Sequence, residues 1–339
     1  MTQQDLPGLD LARLRDYLDE HSPGLVGGAL TGEVVQGGRS NLTYIVGDGT
    51  SRWVVRRPPL GHVLPTAHDM TREHRVISAL ADTPVPVPRT ITLCQDTEVL
   101  GAPFYVMEFV PGTPYRAASE LEALGAQRTK AIAESLMDTL VDLHAVDPSA
   151  VGLGDFGRPE GFLERQVRRW KKQLDASRSR DLPGVDDLHD QLARAIPASG
   201  PAAVVHGDYR LDNVLVDETD RITAVLDWEM STLGDPLTDL ALLVAYAERG
   251  KVNLEIVSNV STAPGYPGTD EMIARYAARS GRDVSALDWY VGFAFFKLAV
   301  ILEGIYYRFS QGKTVGAGFD QIGAAVVPLV TLGLDTLKD

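Results

Sequence analysis

The sequence predicts an α+β fold in two lobes, a β-rich N-terminal lobe over residues 1–110 and a mainly helical C-terminal lobe over residues 111–339. Three observations predict it. Short β-branched and aromatic runs cluster between Gly32 and Phe109, helical periodicity dominates beyond Gly112, and one non-helical interval, Val204 to Leu226, interrupts the helical region. A chain of 339 residues, 44% hydrophobic and 23% charged, is ordinary for a folded protein and long enough to bury a substantial core.

The elements follow in order. Leu11, Leu14 and Leu18 share one face of a short amphipathic opening helix. Val34-Val35, Leu42 to Val46 and Trp53 to Val55, separated by Gly37-Gly38 and Gly47-Asp48-Gly49, read as an antiparallel meander. Met70, Glu73, Val76, Ile77 and Leu80 recur at helical spacing, until Pro84-Val85-Pro86-Val87-Pro88 enforces extended backbone. Strands are expected at Arg89 to Leu93 and Phe104 to Phe109, and Val110-Pro111-Gly112 is a natural hinge. A long helix is expected near Leu121 to His144. Val214 to Val216 and Ile222 to Leu226 flank the turn Asp217-Glu218-Thr219-Asp220 as a hairpin. Asp235-Pro236 has the order of an N-cap followed by a first-turn proline, with Leu237, Leu240, Ala241 and Val244 as the apolar face behind it. Helical patterning continues through Tyr307, and Trp289, Phe293, Phe295 and Phe296 read as core rather than a pocket wall.

Charge and cysteine usage exclude some functions. A net charge of −14 argues against nucleic-acid binding, which needs a cationic surface. Cys94 is the only cysteine, so no internal disulfide or cysteine metal cluster can form, and a reducing cytoplasm is the expected location. The N-terminus lacks the zones of a signal peptide, and Lys297 interrupts the strongest apolar run, Val291 to Ile301; neither export nor a membrane span is expected.

The chemistry concentrates in His206-Gly207-Asp208-Tyr209-Arg210-Leu211-Asp212-Asn213 and, across the hairpin, Leu226-Asp227-Trp228-Glu229. Phosphoryl transfer from a magnesium nucleotide needs a carboxylate to orient the acceptor hydroxyl and hard oxygen ligands for the metal. Asp208, Asn213 and Asp227 have that chemistry. Upstream, Gln36-Gly37-Gly38-Arg39-Ser40-Asn41-Leu42 can turn backbone N–H groups or Ser40 toward phosphate, although it is not a P-loop. In the strand Trp53 to Arg57, Arg56 alternates onto the face of Val54 and Arg57 onto that of Trp53 and Val55. Glu73 lies on the apolar stripe of its helix, where an unpaired carboxylate would carry a desolvation cost that pairing with Arg56 would remove.

The His-Gly-Asp run followed by an Asn five residues after the Asp, together with Asp227 beyond the hairpin, resembles the aminoglycoside-phosphotransferase-like family of kinases, relatives of the protein kinases. The resemblance implies a bilobal protein-kinase-like fold, ATP and Mg2+ as cofactors, and transfer of phosphate to a small-molecule hydroxyl. It implies that Asp208 activates that hydroxyl, that Asn213 helps bind magnesium, and that Asp227 bridges metal and nucleotide. The loop carrying Ser40 and Asn41 would cover ATP, and Arg56 would replace the commoner phosphate-binding lysine, oriented by Glu73. Glu108 and Val110 would mark the segment whose backbone bonds adenine. Gly234-Asp235-Pro236-Leu237-Thr238-Asp239 would brace the C-terminal lobe.

From about residue 30 to about residue 310 the chain looks most like kinase-like domains associated with acyl-CoA dehydrogenases, with Phe296-Lys297-Leu298 and Gly304-Ile305-Tyr306-Tyr307-Arg308 adding to the impression. That implies a partner in acyl-CoA metabolism. Competing readings are an aminoglycoside or other small-alcohol kinase, a nucleotide-binding pseudokinase, and an accessory protein of an acyl-CoA dehydrogenase. Between Arg165 and Arg180 seven cations, Arg165, Arg168, Arg169, Lys171, Lys172, Arg178 and Arg180, stand against Asp175 alone. Over the substrate side they would favour an anionic acceptor such as a hydroxyacyl metabolite; alternatively they coat the solvent face of a helix around Trp170.

Overall fold

Residues 6–35, 41–61, 68–249, 259–312 and 322–338 are described by the computed structural model. The chain divides into two units, Met1–Gly112 with Thr223–Ser231, and Thr113–Ile222 with Thr232–Asp339. The first is a sheet with helices and the second is mainly helical, the α+β organisation expected from the sequence.

In the first unit, helix α1 (Leu11–His21) starts where the Asp10 carboxylate accepts the N–H groups of Ala12 and Arg13 at 2.9 and 3.1 Å. Strands β1 (Thr31–Val34), β2 (Leu42–Gly47), β3 (Arg52–Arg57), β4 (Thr90–Cys94) and β5 (Phe104–Glu108) form an antiparallel sheet in the order β1-β2-β3-β5-β4. One face carries Tyr44, Val46, Trp53, Val55, Phe104 and Val106, which bury Leu14 and Leu18 of α1. Helix α2 (Met70–Leu80) buries Met70, Glu73, Val76, Ile77 and Leu80, the stripe read from the sequence. The four-residue helix α3 (Thr97–Leu100) is too short to leave a periodic signal.

Residues Thr223–Ser231, which the sequence reading places in the second lobe, cluster with the first unit. The reason is local. Val225 donates to the Pro86 carbonyl at 2.8 Å, and the buried Trp228 donates its indole N–H to the Val225 carbonyl at 2.9 Å.

The second unit contains α4 (Ala118–Glu122), α5 (Ala126–Ala145), α6 (Phe162–Ser177), α7 (Val185–Arg194), α8 (Leu237–Arg249), α9 (Thr269–Ser280), α10 (Leu287–Ser310) and α11 (Val326–Thr336). The single helix expected near Leu121 to His144 is two helices, because Gly125 takes a φ of 87°, a left-handed conformation that ends one and begins the other. Strand β6 (Ala203–Val205) pairs antiparallel with β9 (Thr232–Gly234), Val204 opposite Leu233. Between them lie β7 (Val214–Val216) and β8 (Ile222–Val225), joined by a turn in which Asp217 accepts the N–H groups of Thr219 and Arg221.

Helix α10 packs against α6, α7, α8 and α11. By length and composition it could cross a membrane, yet 72% of its most apolar window is buried inside the unit. Trp289, Phe293, Phe295 and Phe296 are buried core residues, and the first two stack with ring centroids 5.5 Å apart. Away from its first and last turns, two charged residues interrupt this helix. Glu303 is fully buried and bonded by Arg180 at 3.1 and 2.9 Å, whereas Lys297 reaches a loop carbonyl.

Candidate functional site

Strand alternation sends the two arginines of β3 to opposite faces. Arg57 is buried and donates to the carbonyls of Gly8 and Leu100 at 2.5 and 2.7 Å, bracing the N-terminal segment. Arg56 donates Nε to Glu73 Oε2 at 2.8 Å and Nη1 to Thr43 Oγ1 at 3.3 Å, and its Nη2 pairs with Asp227 Oδ1. Glu73, 1% exposed, also accepts the Tyr105 hydroxyl and the Asn41 amide, each at 2.9 Å. A buried carboxylate is tolerable only when its oxygens are satisfied in this way. Burial works against the charge of Arg56, but Glu73, then Tyr105 and Asp227, outweigh it and hold its pKa above the ordinary arginine value. The guanidinium is therefore a fixed cation.

Asp227 follows β8 with φ 65° and ψ 57°, a left-handed conformation that Asp tolerates better than most residues at a cost of about 1 kcal/mol. That bend leaves its side chain 30% exposed while one oxygen faces Arg56. Asn41, expected beside Ser40 on a phosphate-facing loop, is buried instead. Its Nδ2 bridges Glu73 Oε1 at 2.9 Å and Glu229 Oε2 at 3.1 Å. Ser40 lies outside the described residues. Glu108 is exposed at the end of β5, where its N–H bonds the Arg89 carbonyl at 2.9 Å, and the half-buried Val110 follows the strand.

In the second unit, the loop 206–213 leaves β6, turns at Gly207 with φ 86°, and closes in a one-turn 3-10 helix at Leu211–Asn213. Asp239, in the first turn of α8, holds this loop by accepting the N–H groups of His206 and Gly207 at 2.6 and 2.8 Å. His144 of α5 lies 3.3 Å from the same carboxylate through Nε2, and Tyr276 meets its Nδ1 at 2.8 Å. Burial keeps His144 neutral, with its pKa pushed down. Burial would raise the pKa of Asp239, but the hydrogen bonds from His144 and from the His206 N–H outweigh it and hold the carboxyl below its ordinary range. Tyr209 pins the loop from inside, bonding the Leu136 carbonyl at 2.7 Å.

Asp208 is presented outward by this frame, its side chain 26% exposed. Its Oδ1 accepts the Tyr246 hydroxyl at 2.7 Å, and its Oδ2 accepts Asn213 Nδ2 at 3.0 Å with Arg210 Nε 3.5 Å away. Tyr246, missed in the sequence, sits two turns beyond Asp239 on the same face of α8. Asn213 also donates Nδ2 to the Asp208 carbonyl at 2.9 Å, which leaves its Oδ1 as the atom available to a cation. The Asn213 amide oxygen in the second unit and the Asp227 carboxylate in the first are each hard donors of the kind magnesium takes, an ion that keeps much of its own water and needs few protein ligands. Among the described residues no cluster of three or more His, Cys, Asp or Glu offers an all-protein metal cage.

Much of the Arg165–Arg180 charge is used locally. Arg165 donates to the Glu160 and Arg158 carbonyls, Lys171 bonds Asp175 at 2.5 Å, Arg178 bonds Asp186 at 2.7 Å, and Arg180 bonds Glu303. Arg168, Arg169 and Lys172 remain exposed on α6 around the buried Trp170.

Residues 31–288 match the model of the phosphotransferase enzyme family. Acyl-CoA dehydrogenase family member 11 of Rattus norvegicus is 36% identical over 334 residues, which cover 96% of this chain and 43% of that protein. The chain thus spans less than half the length of the acyl-CoA dehydrogenase family proteins it matches. Among solved structures, a putative aminoglycoside phosphotransferase from Ralstonia eutropha JMP134 is 33% identical with a TM-score of 0.86, covering 97% of this chain and 98% of that one. A thermostable mutant of aminoglycoside phosphotransferase APH(4)-Ia, in ternary complex with AMP-PNP and hygromycin B, shares the fold at 16% identity and a TM-score of 0.61, covering 95% of this chain and 98% of that one.

Proposed function

Because the chain belongs to the phosphotransferase enzyme family, we propose that it transfers the γ-phosphoryl group of ATP, presented as its magnesium complex, to a hydroxyl group of a small molecule. The observation that carries this reading is the outward-facing Asp208 carboxylate, whose two oxygens are oriented by Tyr246 and Asn213. Asp208 accepts the proton of the acceptor hydroxyl while that oxygen bonds to the γ-phosphorus. The bond from phosphorus to the β–γ bridging oxygen breaks, and ADP leaves with that electron pair. Asp227 and the Asn213 amide oxygen are the proposed magnesium ligands; bound magnesium offsets charge on the phosphates. Arg56, fixed by Glu73, is the proposed phosphate contact, and the backbone near Glu108 and Val110 the proposed adenine contact. Ser40 remains a proposed phosphate-side residue, and Asn41 a residue that holds Glu73 and Glu229 in place.

The acceptor in this reading is an anionic metabolite, such as a hydroxyacyl compound, rather than a polycationic aminoglycoside. The exposed Arg168, Arg169 and Lys172 support it, as does the similarity to acyl-CoA dehydrogenase family proteins. The same similarity favours a second reading, in which the chain works beside an acyl-CoA dehydrogenase as its partner. A stoichiometric complex that forms equally well with Asp227→Ala would support that role independently of nucleotide. A cytoplasmic setting fits a chain whose one cysteine, Cys94, is buried and free.

The test is ADP release with Mg-ATP and a panel of hydroxy acids, their thioesters, neutral alcohols and aminoglycosides. Asp208→Ala is expected to keep the fold and nucleotide binding while turnover falls about 10²- to 10⁴-fold. Near-normal turnover in the folded variant contradicts the role given to Asp208.

A further inference from the structure

Lys297 stands in the middle of α10, where nearly every neighbouring side chain is apolar and buried. The other interior charge, Glu303, is matched by a guanidinium, but Lys297 has no carboxylate at ion-pair distance among the described residues. Its ammonium donates to the Gly207 carbonyl at 2.9 Å and stands 5.7 Å from the centroid of the Trp170 ring. Gly207 immediately precedes Asp208, so this cation is anchored one residue from the proposed base. The side chain is partly exposed, and an ammonium carries three N–H donors of which the carbonyl takes one. Burial pushes its pKa down while the charges of Asp208 and Asp239 act in the opposite sense.

A carbonyl brace needs only one neutral donor, which a long amide side chain such as Gln would supply without bringing a cation into an apolar helix. A half-satisfied ammonium is costly unless something else completes its shell. The indole face of Trp170 flanks the cation, and exposed Arg169 adds positive potential from the next position of α6.

We infer that Lys297 is the specificity-determining residue of the acceptor side, binding an anionic or carbonyl oxygen that the acceptor carries near the hydroxyl aligned on Asp208. The inference rests on the phosphotransferase reading. It gives that reading an acceptor class: a hydroxy compound with a carboxylate or acyl oxygen a few bonds from the reacting hydroxyl.

The experiment compares wild type with Lys297→Met, Lys297→Gln and Lys297→Arg, each checked for folding by thermal denaturation. Acceptors are 3-hydroxybutanoate, its amide and 2-butanol, assayed for phosphoryl transfer, with calorimetric titration of 3-hydroxybutanoate alongside. The expected result is a loss of about 10- to 100-fold in kcat/KM for the acid in the Met and Gln variants, chiefly through KM. The preference for acid over 2-butanol should collapse, acid binding should weaken in proportion, and Arg should restore part of it. If an uncharged carbonyl oxygen is enough, the amide follows the acid; if charge is read, the amide follows 2-butanol. Equal losses on all three acceptors with KM unmoved would mean Lys297 only braces the loop, and the inference falls. Unchanged acid binding overturns it as well. If wild type transfers phosphate to none of them yet binds the acid through Lys297, the phosphotransferase reading fails while the recognition site stands.

Discussion

A carboxylate serves as a base only if a lone pair is aimed and the group is held still, and for Asp208, the proposed base, these tasks fall to Tyr246 and Asn213. Tyr246→Phe removes a hydrogen bond to a charged group without changing shape. Its expected effect is a fall in kcat of about 10- to 100-fold at unchanged Mg-ATP affinity, checked by steady-state kinetics and calorimetry. An unchanged kcat would show that the phenol does not position the base. For Asp227→Ala, calorimetry is expected to show a larger loss of affinity for ATP with magnesium than for ATP without it; equal losses count against metal coordination. Asp208, Asn213 and Asp227 were legible because their chemistry sits in short runs with fixed spacing. Tyr246 and His144 were not, since each acts from a helix, Tyr246 on Asp208 and His144 through Asp239, and a lone Tyr or His in a helical stripe reads as packing, while Lys297 shows in the sequence only as a break in an apolar run. The two arginines of β3 were half legible: alternation separated Arg56 from Arg57, but only the tertiary partners show Arg56 between Glu73 and Asp227, and Arg57 on the Gly8 and Leu100 carbonyls.

Elements with a strong period were readable, and those too short to show one were not. The stripe of α2 and the apolar run of α10 gave themselves away, whereas β6 and β9 are three residues each and α3 is four. The α8 start was readable from Asp235-Pro236. Its Asp235 accepts the Leu237 N–H at 3.1 Å and the Tyr290 hydroxyl at 2.8 Å, a structural role. What the sequence hides is how α5 and α8 together hold the 206–213 loop through His144 and Asp239. This pairing makes stability depend on pH. His144 is held neutral, so as pH falls below the unfolded histidine value of about 6.5 the unfolded chain takes up a proton that the folded one resists, and stability drops until the folded histidine also protonates. His74, also pushed down by burial, acts in the same direction. Asp239 is held low, so its contribution persists above the unfolded carboxylate value of about 3.9 and is lost only as pH falls through its lower folded value. Thermal midpoints measured from about pH 7.5 to 4.5 should decline below about 6.5 in wild type. In His144→Gln, which can still donate to Asp239, part of that decline should vanish; an identical slope would show that His144 titrates the same way folded and unfolded.

Taken whole, the molecule distributes its proposed chemistry over two structural units: Arg56, Glu73 and Asp227 in one, Asp208, Asn213, Tyr246 and Lys297 in the other. The expected division near residue 110 follows the change from strands to helices, but only the fold shows that Asp227 travels with the strands, carried by the buried Trp228 and the bond from Val225 to Pro86. A ligand that binds only the folded chain must stabilise it, by about 2.7 kcal/mol when present at 100 times its Kd. Mg-ATP should therefore raise the thermal midpoint of wild type and raise that of Asp227→Ala much less. The central claim is phosphoryl transfer to a small-molecule hydroxyl, and phosphorus NMR of the reaction mixture tests it most directly. With Mg-ATP and an acceptor from the hydroxy-acid series, wild type is expected to give a phosphate monoester resonance that grows as ATP is consumed, absent without magnesium and absent with Asp208→Ala. Nucleotide binding with no ester formed on any acceptor, or an ester formed equally by Asp208→Ala, would contradict the account.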